Sequence, residues 1–237
     1  MSDSARPPTA PPSGGIAVPL LTDDTNLRDA LTRIAVLGHE AVPACTAASI
    51  TLIERGRAVT MGSSNDIAVD LDDAQYRRDA GPCLAAAREQ RTIVLHDAKD
   101  AAAWPEFRAA SARAGIASSI SVPMTLGTDA LEGGVNIYGA GGDAFAPADV
   151  ILTSTFASQA TAVVLNTRAY WTAAELARNL AVALETRGAI ERAEGILMGT
   201  RGLTDEEAFD ALRVRSQLEN RTLHDVATSV LDETSGR

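Results

Sequence analysis

No proline occurs after Pro147, and from there to Arg237 no alternation of apolar and polar residues suggests a strand. Such a stretch reads as helix, because an internal proline or a period of two would break or contradict the helical pattern. Leu152, Phe156, Gln159, Val163 and Asn166 fall on neighbouring turns, and Leu176, Leu180 and Leu184 follow at four-residue spacing. A helix this long needs a partner surface to bury its stripe. A parallel dimer supplies one, although the heptad is irregular.

The residues before Pro147 have a different texture. Pro7, Pro8, Pro11, Pro12 and Pro19, with Gly14 and Gly15, offer too little burial to offset ordering entropy, so residues 1–22 read as a disordered tail. From Asp24, Leu27, Leu31, Ile34 and Val36 or Leu37 form a helical stripe, with Asp23 or Asp24 as N-cap and closure between His39 and Pro43. Ala47 to Ile53 and Ala58 to Met61 read as a hairpin around Glu54, Arg55 and Gly56. Asp70 to Arg78, Cys83 to Glu89 and Pro105 to Ala114 read as helices, the last ending at Gly115. Thr92 to Leu95, Ser118 to Val122 and Leu131 to Tyr138 read as further strands. Short strands interspersed with helices predict an α+β domain with an antiparallel sheet rather than a doubly wound parallel one.

Length and composition fit two domains, one over 23–167 and one over 168–235. A hydrophobic share of 46% with 22% charged residues is that of a water-soluble globular chain. The N-terminus carries no continuous apolar segment of signal-peptide type, and no uninterrupted run approaches a membrane span, so a cytoplasmic protein is expected. The net charge of -10 excludes a protein that coats nucleic acid indiscriminately, since phosphate neutralisation requires clustered cations. Cys45 and Cys83 lack metal-ligand spacing, and neither a disulfide nor a metal site is expected. His39 and His96 have no obvious metal partners, and the Asp72–Asp73 pair reads as a helix cap rather than a cation site.

Two start signals divide the end of the chain. Thr204-Asp-Glu-Glu207 is a capping box after Gly202, and Thr222-Leu-His-Asp225 repeats the arrangement after Asn220. Three helices result: one ending near Met198, one over 205–218 and one over 223–231. Leu223, Val226, Ala227, Val230 and Leu231 form the buried face of the last, and Ala208, Phe209, Leu212 and Ser216 that of the middle one. With His224 as its sole histidine and no cysteine, this unit offers neither a nucleophile–base pair nor a metal cage, so it works by contact: with RNA, with DNA, or with protein.

Leu184-Glu-Thr-Arg-Gly-Ala-Ile-Glu-Arg-Ala-Glu-Gly-Ile-Leu-Met198, Thr204-Asp-Glu-Glu-Ala-Phe-Asp-Ala-Leu-Arg213 and Asn220-Arg-Thr-Leu-His-Asp-Val-Ala227, in that order, resemble the ANTAR family of RNA-binding antiterminators. The resemblance implies binding to stem-loops in nascent leader transcripts, which prevents a terminator from forming. Arg187, Arg192, Arg213, Arg215 and Arg221 supply guanidinium groups for phosphates or splayed loop bases. Gly188 and Gly195 each cost about 1 kcal/mol relative to alanine inside a helix, which points to close approach by RNA backbone or by a neighbouring helix. One departure stands out: the family commonly carries lysine just before the glycine matched by Gly195, and here that residue is Glu194. From Glu175 to Arg237 there are 12 acidic and 8 basic residues, so the basic footprint of a nucleic-acid binder is not visible as net charge.

The first domain carries a second resemblance. Leu71-Asp-Asp-Ala-Gln-Tyr76, Gly81-Pro-Cys83, Trp104-Pro-Glu-Phe107, Gly115-Ile-Ala-Ser-Ser119, Pro123 and Gly134-Val-Asn-Ile-Tyr138 look like the GAF domains that precede ANTAR modules in actinobacteria. This implies a sensor of a small molecule or redox state, often dimeric through its helices. No ligand or cofactor is named by these residues. Cys83, Trp104 and Phe107 are the ligand-binding candidates, each with a plain packing role as its competitor. The expectation is a homodimeric, non-enzymatic regulator that transmits a sensor signal to stem-loop RNA. The alternative is a dimeric protein-interaction adaptor or ligand sensor that has lost RNA binding, and a thiol enzyme would need Cys45 as the resolving partner of Cys83.

Overall fold

The computed structural model describes residues 24–97, 102–127 and 131–235. The tail expected over 1–22 and the side chains of Asp23 and Asp24 lie outside the described residues. Two compact units meet between Ala169 and Tyr170.

The first unit is built on a five-stranded antiparallel sheet of order β2-β1-β5-β4-β3. Its strands are β1 (Ala47–Glu54), β2 (Arg57–Ser63), β3 (Ile93–Leu95), β4 (Ser118–Pro123) and β5 (Leu131–Gly139). The helices are α1 (Asp24–Ala41), α2 (Asp66–Tyr76), α3 (Pro82–Glu89), α4 (Pro105–Ala114) and the start of α5 (Pro147–Arg201). Arg55 and Gly56, at φ 51° and 77°, close the β1–β2 hairpin in the left-handed conformations its tight turn requires.

Register explains why the sheet has two unlike faces. Across β1, β5 and β4, Ile137 pairs with Ala48 on one side and Ile120 on the other, and Val135 with Ile50 and Val122. These residues share a core with Leu27, Leu31 and Ile34 of α1 and Phe156, Ala160, Val163 and Val164 of α5. Ser49, Asn136 and Ser121 form the alternate row, and Ala47, Tyr138 and Ser119 the next. Because successive strand residues point to opposite faces, this polar row lies beneath α2, α3 and α4. At Gly62, a Cβ would come within 2.5 Å of Leu31 and Thr32 backbone atoms, so only glycine lets β2 approach α1 this closely.

The second unit comprises the end of α5 with α6 (Asp205–Glu219) and α7 (Leu223–Ser235). Ala189, Ala193 and Leu197 pack with Ala208, Leu212, Val226, Ala227 and Val230. Thr204 and Glu207 form the capping box: Thr204 Oγ1 accepts from the Glu207 N–H at 3.3 Å, and Glu207 accepts from the Thr204 N–H at 2.9 Å. Thr222 and Asp225 repeat it at 3.1 and 3.3 Å. Thr204→Ala should lower the unfolding free energy of this unit by about 1 kcal/mol, read from urea melts followed by circular dichroism.

Two sequence readings change. α2 begins at Asp66 with Asn65 as N-cap, so Asp72 is no cap but lies wholly buried in mid-helix. Phe209, expected in the core of α6, is 42% exposed, because Ala208 and Leu212 with half-buried Ala211 already fill the interhelical space. α5 also holds an 18-residue window of mean hydropathy 1.3, which passes for a membrane span by length and composition although its serines, threonines and glutamine break the apolar run. A third of that window is buried, with Phe156, Ala157, Ala160, Val163 and Val164 in the first unit's core.

Candidate functional site

In the second unit, most of the arginines singled out by sequence are held by carboxylates of their own chain. Arg187 pairs with Glu191 at 2.7 Å, Arg213 with Asp210 at 3.0 Å, and Arg221 with Glu219 at 2.9 Å. Arg215 bridges Glu219 and Glu233 at 2.7 and 2.9 Å, tying α6 to α7. The two carboxylates raise the Arg215 guanidinium above its already high value, and Arg215 first and Arg221 second hold the Glu219 carboxyl below the usual range. Arg192 differs: its Nε donates to the Gly188 carbonyl at 2.9 Å, with no carboxylate partner among the described residues.

Gly188, Gly195 and Gly199 share one face of α5 with Arg192, since spacings of seven and four keep them on neighbouring turns. A Cβ built on any of the three meets nothing within 4 Å. Packing within the chain therefore does not explain these glycines, and they leave a strip of bare helix backbone beside a guanidinium. Glu194 is half-buried, and burial, then Asp205, then Glu191 push its carboxyl upward. Val214 and Leu218 leave an apolar surface on α6.

The interior of the first unit is unusually polar. The Asp72 carboxylate, reached from α2, accepts from Thr60 Oγ1 at 2.7 Å, Tyr138 Oη at 2.8 Å and Ser49 Oγ at 3.1 Å. Burial pushes Asp72 up to about 6, while those hydroxyls pull it back down. Burial also raises Tyr76 and Tyr138, and the Asp72 charge adds to both. Asn136 Oδ1, Ser119 Oγ and Ser121 Oγ are buried with no hydrogen-bond partner among the described residues.

Cys83 sits inside this network. Its Sγ donates to Thr51 Oγ1 at 3.3 Å and accepts from Asn136 Nδ2 at 3.1 Å. Burial, then the Asp72 charge, push the thiol up to about 12, which suppresses the thiolate that redox chemistry would use. Phe107 is wholly buried, its ring 6.3 Å from that of Tyr138, and Trp104 is half-buried at the edge of the same cluster. Cys45 bonds His39 and the Ala47 carbonyl rather than Cys83, and both cysteines are free. Among the described residues no group of His, Cys, Asp and Glu could hold a metal ion. Asp72 and Asn136 were missed as candidates; the polar residues Ser49, Thr51, Ser119 and Ser121 at alternate strand positions were the available signal.

The first unit is thus an α+β unit with a buried polar network, and the second a small trihelical unit. The comparisons name both parts. Residues 24–164 match the GAF domain and residues 178–231 the ANTAR domain, so the chain belongs to the GAF family and carries a C-terminal ANTAR domain. Among solved structures it is similar to a domain of a putative two-component sensor histidine kinase from Sinorhizobium meliloti 1021, at 18% identity and TM-score 0.49, covering 61% of this chain and 94% of that one. It is also similar to a GAF domain/HD domain protein from Geobacter sulfurreducens, at 16% identity and TM-score 0.49, covering 61% and 95%. A third is the type II free methionine-R-sulfoxide reductase from Thermoplasma acidophilum, at 14% identity and TM-score 0.44, covering 60% and 94%. A comparison with curated proteins yields no match. GAF domains sense signals and ANTAR domains are RNA-binding, so the chain is regulatory in kind.

Proposed function

We propose that this protein is a signal-responsive transcription antiterminator that binds stem-loops in nascent leader RNA in the cytoplasm, working as a homodimer and catalysing no reaction of its own. The observation that carries the RNA contact is the strip of Gly188, Gly195 and Gly199 around Arg192, open along its length within an ANTAR domain. Bare helix backbone admits a phosphate chain closely, and an arginine without a carboxylate partner can clamp it. Arg187, Arg213, Arg215 and Arg221 contribute only by exchanging their own carboxylates for phosphate.

The sensor signal enters at the polar side of the sheet. Unpaired Asn136, Ser119 and Ser121 atoms offer hydrogen bonds to a small polar ligand, for which Phe107 and Trp104 supply the apolar wall. Dimerisation is supported by Leu176, Leu180 and Leu184, which repeat at four-residue spacing on α5 and are exposed.

A gel-shift titration against tandem stem-loops, with scrambled loops as control, tests the RNA reading. Selective retardation of the native loops is expected. Equal binding to both RNAs, or to neither, abandons it. The adaptor alternative is favoured by Glu194 and the self-paired arginines, and it predicts that Glu194→Lys creates RNA affinity where the parent has none.

A further inference from the structure

Asp72 is the one charged side chain that is buried among the described residues, and no cation is among its hydrogen-bond partners. An ionised carboxylate only accepts, so it dictates which way its neighbours' protons point. Thr60 donates to it at 2.7 Å and therefore accepts from Tyr76 at 2.9 Å. Tyr76, its proton committed to Thr60, accepts from Thr51 at 2.9 Å, and Thr51 accepts the Cys83 S–H at 3.3 Å. An unbroken file of protons thus leads from Cys83 to the carboxylate.

The same charge fixes the Asn136 amide. Its Nδ2 donates to Ser49 Oγ and to Cys83 Sγ, both at 3.1 Å, and lies 3.5 Å from Asp72 Oδ1. Turning the amide over would set its oxygen against the carboxylate and against a sulfur whose proton is already given to Thr51. Asn136 Oδ1 therefore faces away from those groups, and it is buried with no hydrogen-bond partner among the described residues. Beside Asn136 on β4 stands Ser121, and beside Tyr138 stands Ser119; both hydroxyls are likewise buried and unpartnered. Such groups are rare in folded proteins. Together they offer an amide oxygen that can only accept and two hydroxyls that can do either.

We infer, on the reading that this side of the sheet holds a ligand, that the sensor takes a small molecule that donates hydrogen bonds and is neutral or positively charged, and that it turns away anions of the same size. Asn136 Oδ1 demands a donor because its amide cannot turn while Asp72 is ionised. An anion would enter a dry interior that already holds one uncompensated negative charge, where repulsion is far stronger than in water. That charge is felt beyond its own bonds: after burial itself, it is what pushes the Cys83 thiol and the Tyr76 and Tyr138 hydroxyls upward. A cation meets the opposite field and supplies the countercharge that no residue of the network provides.

Guanidinium, urea and nitrate are planar and close in size, and they carry one positive charge, none and one negative charge. Each is titrated at millimolar concentration into the full chain, and nuclear magnetic resonance follows the Ser119, Ser121 and Asn136 signals. Guanidinium and urea should bind more tightly than nitrate by about tenfold. Asp72→Asn should bring the three to within about threefold of one another, because it removes the charge and frees the Asn136 amide to turn. Ser121→Ala, which deletes one hydroxyl, should weaken urea. Nitrate bound as tightly as urea, or a preference that survives Asp72→Asn, overturns the inference and leaves a ligand site standing. Signals that none of the three moves overturn both.

Discussion

Asp72→Asn should make the sensor unit more stable than the parent at neutral pH and leave the two nearly parallel in acid. The carboxyl is wholly buried and rises from 3.8 to about 6 on folding, chiefly through desolvation. A folded value above the unfolded one means that the group's contribution is fully present below about pH 4. It is lost as the pH rises toward 6, because in that window the unfolded chain has released the proton and the folded chain still holds it. The difference corresponds to about 3 kcal/mol, all of it absent above the folded value. Asparagine keeps the shape, and Ser49, Thr60 and Tyr138 hydroxyls can turn to accept from its amide. Glu207, Glu219 and Asp225 in the second unit are held below their usual values and weaken the parent in acid, but they do so equally in the variant. The difference between urea melts of the two proteins at successive pH values isolates Asp72. A difference that stays constant from pH 4 to 7 would show that the carboxyl titrates normally in the fold.

That carboxylate also marks where sequence reasoning reaches its end. Local signals served well wherever a backbone rule sets the structure: the Thr204 and Thr222 caps, Gly115 and Gly202 at φ 68° and 70° after their helices, and the Arg55-Gly56 turn. The antiparallel sheet followed from short strands between helices. Asp72 was misread because two adjacent aspartates look like a cap, whereas its surroundings come from β1, β2 and β5. Phe209 was misplaced for a similar reason. Periodicity identifies a face, but the small Ala193 and Ala208 let α5 and α6 close without it. Arg215 and Glu219 stand at i, i+4, a pairing that spacing can show, but the bond from Arg215 to Glu233 joins residues of different helices, and no spacing rule could have shown that this arginine ties α6 to α7.

Gly195→Ala should separate stability from RNA binding. Alanine gains about 1 kcal/mol over glycine within a helix when its methyl meets no obstacle, and here nothing lies within 4 Å of the added carbon. The melting temperature of the ANTAR domain should therefore rise. If the strip on α5 is the RNA contact, the same methyl stands where the phosphate chain approaches, and affinity for the stem-loop should fall by about tenfold. Arg192→Gln should weaken binding at least as much with little change in stability, because its only hydrogen bond among the described residues is to the Gly188 carbonyl. Arg215→Gln should behave the other way round, loosening α6 from α7 with the smaller effect on RNA. Gel-shift affinities and melting temperatures of the three variants form the measurement. A Gly195→Ala protein that melts higher and still binds at parental strength would move the contact off α5, toward Arg213 and Arg215 of α6 and Arg221 of the turn after it. Those would then have to give up Asp210, Glu219 and Glu233 to reach phosphate, and binding would carry the cost of breaking each pair.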